Sequence, residues 1–470
     1  MAGWESSNEE VYVEKVEEFV DTNPDLYKQR TIAALNECRY KDALKEAQLA
    51  LKYGNQELQY HVLIVRVLLE MGQYDVCYKY LMGSGLWKNR KSKELLSDER
   101  NYLYYTYARC FKECGFDISM AEVIIVTNDG KGMYSNIQSA VAYQGDRKKI
   151  YLTKGRYNEA LGIIGKDVII ECDDMERAVI TEPVQVLKSK AKFKNIVFDV
   201  KKEMVMLSAN DAQCSFTGII FRGKGKDKKQ IGLHLTKCKS VNLNDATFEN
   251  LLIGAMVLSQ NVNIDKSHLI NNKIGVLCAS KQTFKESQSV INCVDNHIEK
   301  NEIGICSACN SRAKIIRTSF ENNVDAVICM ANSIVIQNFA TEMIDLDGIK
   351  IYPDKLEVFL QGKSGYVEIK DSEIRKSKNV GIAVCDKGSI EVTNCKIVGS
   401  SSLGGLGYGV YAKENGNIIL KDCLLENNLK AIYTTDNATV DRRNVRLLNN
   451  DVVGATLEGV KGLFKALTNI

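Results

Sequence analysis

The sequence predicts a two-part chain, α-hairpin repeats over the first quarter followed by a parallel β-helix with helical caps. Three observations predict it. Small residues recur at Gly232, Gly254, Gly275, Gly304, Ala326, Gly381, Gly409, Ala431 and Gly454, at intervals of 21 to 29 residues except for one of 55. Similarity at a fixed period of this size outranks local motifs in assigning an architecture. Most share a neighbourhood, an Asn or acid before and a short apolar run after, as in Asn271-Asn272-Lys273-Ile274-Gly275-Val276-Leu277. Further upstream, Cys38-Arg39-Tyr40-Lys41-Asp42-Ala43 and Gly72-Gln73-Tyr74-Asp75-Val76-Cys77 match at an offset of 34. The 55-residue interval is read as holding a less regular extra turn near Gly348.

Composition bounds the class. The chain has 470 residues, room for two to four domains. Its 45% apolar and 26% charged content are those of an ordinary globular protein. A net charge of +3 exerts no global pull on nucleic acid. The fifteen cysteines are odd in number and sit in apolar contexts, as unpaired core thiols do in a reducing compartment. The opening Met1-Ala2-Gly3-Trp4-Glu5 lacks the pattern of a secretory signal, and no apolar run approaches the ~18 residues of a membrane span. The expectation is a cytoplasmic protein with no membrane and no nucleic-acid partner.

Residues 8 to about 120 read as amphipathic helices, the first domain covering 1–121. An aromatic residue at the turn (Tyr40, Tyr74) and a small one three later (Ala43, Cys77) let antiparallel helices pack closely. On these residues the region resembles the tetratricopeptide family. A weaker third copy is read at Ala108–Ala121, with Gly115-Phe116 at the turn. It is displaced by the basic insertion Trp87-Lys88-Asn89-Arg90-Lys91-Ser92-Lys93. So few repeats must lean on a neighbour to cover their last apolar face.

The β-helix is placed at 122–456. The β-branched run Val123–Val126 precedes the turn Asn128-Asp129-Gly130-Lys131-Gly132. Ser135 with Gln138 reads as a capping box for a short helix that presents Ile137 and Val141 to the open end of the stack. Strict alternation in Val262–Ser267 and Tyr366–Asp371 marks strands with one buried face. Asn250, Asn271, Asn322, Asn427 and Asn450 precede the small residue, where Asn tolerates left-handed backbone and its amide can bond to the next copy. Cys278, Cys306, Cys329 and Cys385 are read as one inward stack. Val460, Leu463, Phe464 and Leu467, at helical spacing, make 457–470 a C-terminal capping helix.

The stretch Val126–Gly132, then Ser135–Val141, then Ile150–Glu159 resembles the pectin-lyase-like superfamily, its pectinesterase-like members in particular. The resemblance extends over roughly 123–456 and implies a right-handed β-helix. It also implies where catalytic groups would stand: paired aspartates on neighbouring coils, oxyanion glutamines and an anchoring arginine. Gln230-Ile231-Gly232-Leu233 is similar to the stretch around the first glutamine. Where the aspartates belong, Asn250-Leu251-Leu252-Ile253-Gly254 and Asn272-Lys273-Ile274-Gly275 stand instead. No catalytic residue is therefore assigned, and Gln230 is expected on the surface. Asp173-Asp174 and Asp345-Leu346-Asp347 are read as solvated acids. His268 and His297, 29 apart like Gly275 and Gly304, should stack and point outward. Cys306-Ser307-Ala308-Cys309 lacks the second pair that zinc needs. No metal and no cofactor are expected.

Basic surfaces remain as binding candidates: Lys88, Arg90, Lys91 and Lys93; Lys188, Lys190, Lys192 and Lys194, expected on one strand face with Ala191 and Phe193 opposite; and Arg222, Lys224, Lys226, Lys228 and Lys229. They would attract an acidic protein surface such as that of tubulin. The pairing of helical repeats with a β-helix is similar in plan to the intracellular adaptors of the Nessun Dorma and SHC-binding group. That resemblance implies association with the cytoskeleton at spindle, midbody or cilium. The expected function is a non-catalytic scaffold that binds protein partners. The alternative is a carbohydrate-active β-helix protein, a pectinesterase- or lyase-like enzyme or a glycan binder.

Overall fold

The computed structural model describes residues 21–143, 149–173, 177–202, 204–225, 229–280, 288–330, 365–400 and 407–450, with four short strands between 331 and 364. The chain divides into two compact units, Met1–Cys110 and Phe111–Ile470.

The helices are α1 (Pro24–Asn36), α2 (Tyr40–Tyr53), α3 (Leu58–Glu70), α4 (Tyr74–Gly83) and α5 (Ser97–Glu113). Asn23 caps α1 by accepting from the Asp25 amide at 3.0 Å, and Pro24 occupies its first turn. Both α1 to α3 and α2 to α4 repeat at 34 residues. Cys38 and Gly72 occupy the same place between paired helices and both have positive φ, 56° and 68°. Ala43 and Cys77, then Ala47 and Leu81, are wholly buried at matching positions. The repeat is thus a pair of helical hairpins. The third copy is not formed. Ala108 lies inside the continuous α5, Gly115 (φ +68°) ends the helical path, and only a 3-10 turn, Ile118–Met120, follows.

From Ile124 onward the chain winds through three parallel sheets of thirteen, twelve and eleven strands among the described residues, here sheets A, B and C. One coil reads Ser240–Asn244 in A, Thr247–Glu249 in B and Ile253–Leu258 in C; the next is Val262–Asp265, His268–Ile270 and Ile274–Ala279. At a strand spacing of roughly 4.8 Å, thirteen strands make sheet A about 58 Å long. Most corners turn on a residue in left-handed backbone, where Asn, Asp and Gly cost least. Between A and B these include Asn195, Gly218, Asp245, Asp295, Asn394 and Asn444. Between B and C they include Asn250, Asn271, Asn322 and Asn427, as the sequence predicts, and the Asn271 amide donates to Asn250 Oδ1 at 2.7 Å. Asn450 belongs instead to the neighbouring internal ladder.

That ladder runs Asn272, Asn301, Asn323. Each Oδ1 accepts the backbone N–H of the coil before, and each Nδ2 donates to a carbonyl of that coil, Asn301 Nδ2 to Leu269 O at 2.8 Å for example. Inside the tube, Phe198, Phe221 and Phe248 stack with centroids 4.9 Å apart. The helix Ile137–Ala142, α6, packs Ile137, Ala140 and Val141 into this core at the start of the stack. Its cap is Asn136 rather than Ser135: Asn136 Oδ1 accepts from Ser139 N at 2.7 Å. Glu159 accepts the N–H groups of Ile137 and Gln138, and the Gln138 side chain is spent on Gly162.

Gly232, Gly254, Gly275, Gly304, Ala326, Gly381, Gly409 and Ala431 lie one above another in sheet C. Ala326 stacks directly on Gly381, so no coil intervenes between them in sheet C. Its strands Val335–Ile336 with Val358–Phe359 and Ile344–Leu346 with Ile349–Ile351 pair antiparallel, off the stack. Gly348 and Gly454 lie outside the described residues, as do Val460–Leu467. The cysteines do not form one column. Cys278 and Cys329 face inward, with Ser307 between them in register, whereas Cys306 and Cys385 belong to a second core on the outer side of sheet C. Strand alternation explains the split: Cys306 sits one residue out of phase with Cys278 and Cys329. This outer row, which includes Ile253, Met256, Leu277, Ile328 and Tyr411, is fully buried, so sheet C is covered on both faces.

Candidate functional site

The strand Lys190–Lys194 reads Lys-Ala-Lys-Phe-Lys. Ala191 and Phe193 are buried in the core, which forces Lys190, Lys192 and Lys194 onto the solvent face of sheet A. Lys188 is not in that row: it forms the corner before the strand, with φ 49°. In the preceding strand, Asp167, Ile169 and Glu171 lie opposite the three lysines, and Lys149 lies opposite Ile169 from the other side. Lys149 pairs with Glu171 at 2.9 Å and Lys190 with Asp167 at 3.9 Å. Lys192 and Lys194 have no acid within ion-pair distance among the described residues. Against the outer side of these two paired strands lies an open-sided space of about 310 Å³, whose described lining is Asp167, Val168, Ile169, Lys190 and Lys192. In the next coil Gln213, Ser215 and Thr217 continue the face without charge.

The other basic groups are differently placed. Arg90 is 9% exposed. Its guanidinium lies 4.1 Å from the Trp87 ring and donates to Trp87 O at 2.7 Å and Tyr104 Oη at 3.3 Å, so it belongs to an aromatic core rather than a docking surface. Trp87 stacks on Tyr107 at 4.1 Å in the same cluster. Lys88, Lys91 and Lys93 are exposed. Arg222 is held by Glu249 at 2.6 Å. Lys224 and Arg156, at 2.6 and 3.2 Å, clamp Asp199 from two coils. Burial pushes that carboxyl up, but the two cations outweigh it and hold it below the usual range. Lys229 is exposed, and Lys226 and Lys228 lie outside the described residues.

The residues weighed for catalysis do not converge. Gln230 is fully buried, against expectation: its Nε2 donates to the carbonyls of Val200 and Lys202 and its Oε1 accepts from Lys224 N, fastening an irregular corner. Asp173 is buried rather than solvated, and Asp174 lies outside the described residues. Asp345 sits opposite Lys350 in the antiparallel excursion, off the coils, and Asp347 is not described. His268 and His297 do stack in register on the outer face of sheet B, ring centroids 6.0 Å apart. His297 Nδ1 meets Ser319 Oγ at 2.8 Å, and its Nε2 lies 3.7 Å from Glu299. Burial pushes the Cys278 thiol up to about 12 and raises Cys306 too, so neither is a ready nucleophile. No cluster of three metal-ligating side chains occurs among the described residues, nor does a helix long and apolar enough to cross a membrane.

Two features escape a reading of the sequence. The cavity beside Ile169 needs the pairing register, which joins residues 23 apart. Asp325 occupies the outer-row position that Ile253, Ile274 and Ile303 fill in earlier coils. It is 3% exposed, its Oδ1 has no hydrogen-bond partner, and burial raises its carboxyl to about 8 against the Val380 amide and the Asn379 side chain. The break in an isoleucine column is the signal that would have found it.

Comparison with known proteins bears on the fold. A family model described as "Right handed beta helix region" matches residues 330–464. No curated protein matches the chain. The catalytic unit of a thermostable GH87 alpha-1,3-glucanase from Streptomyces thermodiastaticus is similar at 10% identity and a TM-score of 0.44, over 68% of this chain and 66% of that one. The periplasmic alginate epimerase AlgG is similar at 11% identity and TM-score 0.40, over 64% and 77%. An alginate lyase from a Paenibacillus species is similar at 8% identity and TM-score 0.32, over 66% and 95%. The family model and the three parallel sheets together show that the larger unit contains a right-handed parallel β-helix.

Proposed function

We propose that this protein is a non-catalytic intracellular scaffold that docks an acidic segment of a protein partner on sheet A. The observation that carries this is the lysine row of Lys190–Lys194, three ammonium groups on a flat face, two of them without an acid partner among the described residues. A rigid strand holds the charges at a fixed spacing, so a complementary partner gains attraction without the ordering cost of a loop. The helical hairpins supply a second, separate surface for a peptide or helix. Partners of suitable chemistry include the acidic surfaces of cytoskeletal polymers. The test compares wild-type protein with Lys190→Glu/Lys192→Glu/Lys194→Glu in cell extract. Partners retained by the wild type and released by the triple variant, at equal thermal stability, support the reading; identical retention by both counts against it.

One observation favours the carbohydrate-binding alternative. A polar groove of about 430 Å³ runs along the A–B corner of the last coils, where Asn394 donates to Asp371 and Asn444 to Asp422, both at 2.7 Å, beside Glu373, Lys396 and Arg446. Such groups can bind sugar hydroxyls. Titration with neutral and acidic oligosaccharides decides it, binding abolished by Asp422→Ala supporting the groove and no heat above buffer excluding it.

A further inference from the structure

We infer that the lysine row and the cavity beside it form one recognition site, for an extended acidic peptide carrying a single apolar anchor. This rests on the docking role proposed above and names its ligand. Ile169 is the apolar member of an outward column otherwise polar at this end, with Lys149 before it and Lys192 after. It is only half-buried, and with Val168 it lines the cavity that Asp167, Lys190 and Lys192 rim. At about 310 Å³ the space stands at the lower end of ligand pockets, roughly 300 Å³, and has room for an apolar side chain.

The charge arrangement selects what flanks the anchor. Asp167 and Glu171 are engaged by Lys190 and Lys149, and among the described residues no acid is left for Lys192 and Lys194. A neutral or basic peptide laid here would desolvate two ammonium groups and return nothing; carboxylates offset that cost. Alternate residues of a strand stand about 6.7 Å apart, the same repeat as alternate side chains of an extended peptide, so successive carboxylates can meet successive lysines. The uncharged row Gln213, Ser215, Thr217 bounds the site on its far side and offers hydrogen bonds to a peptide backbone.

Fluorescence anisotropy with full-length protein and two labelled peptides tests this, one Glu-Glu-Leu-Glu-Glu and one with Ser replacing Leu. The leucine peptide should bind at least about tenfold more tightly. Ile169→Ser should erase that difference while sparing the serine peptide, and Lys192→Glu should weaken both. Circular dichroism melts confirm that each variant is folded. Equal affinities for the two peptides, both lost in Lys192→Glu, would overturn the anchor and leave the docking role standing. Binding of neither peptide at low salt would sink the docking role itself.

Discussion

Asp325 is a carboxyl in a column of isoleucines. Its Oδ1 is buried without a partner, and the group stays protonated up to about pH 8. Below the ordinary carboxylate range it is neutral folded and unfolded alike. From there to about pH 8, unfolding releases its proton, so stability falls as pH rises, by up to about 1.4 kcal/mol per unit, and flattens beyond. Asp325→Asn should therefore raise the melting temperature more at pH 8 than at pH 5; an increment that is constant across that range contradicts the assignment. Asn301 lies at the opposite extreme, with its amide and carbonyl both engaged by neighbouring coils. Asn301→Ala leaves the Asn272 N–H unpaired and removes a second donor from the Leu269 carbonyl, and should cost about 2 kcal/mol in denaturant unfolding. The sequence makes the left-handed asparagines legible, because backbone preference is local. It hides the internal ladder one residue later, because that role exists only through hydrogen bonds to residues 21 to 32 away. Gln230 was misread for the same reason: nothing local distinguishes a buried fastener from a surface amide.

Within the elements, the recurring glycines answer to close approach between coils. A Cβ on Gly275 would lie 2.5 Å from the Gly304 carbonyl, and one on Gly304 equally close to that of Ala326. Gly275→Ala must push two backbones apart and should cost about 2 kcal/mol. Ala326→Gly should cost less, since Ala already fits there; a larger loss at Ala326 in the same unfolding assay would refute this account of the period. The period therefore reports the stacked column faithfully, stretching to 29 residues at Gly275–Gly304 and 28 at Gly381–Gly409 and breaking where an antiparallel excursion falls between Ala326 and Gly381. In the helical unit, pattern located both hairpins, but charge alone mistook Arg90 for surface. Arg90→Ala should destabilise that unit by about 2 kcal/mol, seen as a lower melting temperature, through lost packing on Trp87 and lost hydrogen bonds. Lys88→Ala and Lys93→Ala should leave it unchanged.

At the scale of the whole molecule, the β-helix is a long support whose three faces differ. Sheet C is buried on both faces through its middle coils, its outer row apolar apart from groups such as His234 and Asp325. Sheet B carries a mixed row that includes the stacked histidines. Sheet A carries a lysine row beside a small open-sided space near its start, continues through uncharged amides and hydroxyls, Asn263 donating to Asn242 and Asn292 to Asn263, and then bears opposite charges paired within the face, such as Lys421 with Glu391 at 2.7 Å. The fold was legible because each coil repeats its pattern many times. The candidate site was legible only in part, since the three outward lysines follow from alternation within one strand, while Ile169, Asp167 and Lys149 join them only through strand register. The proposed docking role stands or falls on this face recognising acidic polypeptide. The most direct measurement is the affinity of the full chain for poly-glutamate between about 50 and 300 mM salt, with Lys190→Glu/Lys192→Glu/Lys194→Glu as the comparison. The account predicts binding that weakens steeply with salt, as Coulomb attraction at an exposed face must, and that is lost in the triple variant. Binding that is equal in both proteins, or absent from both at the lowest salt, would contradict it.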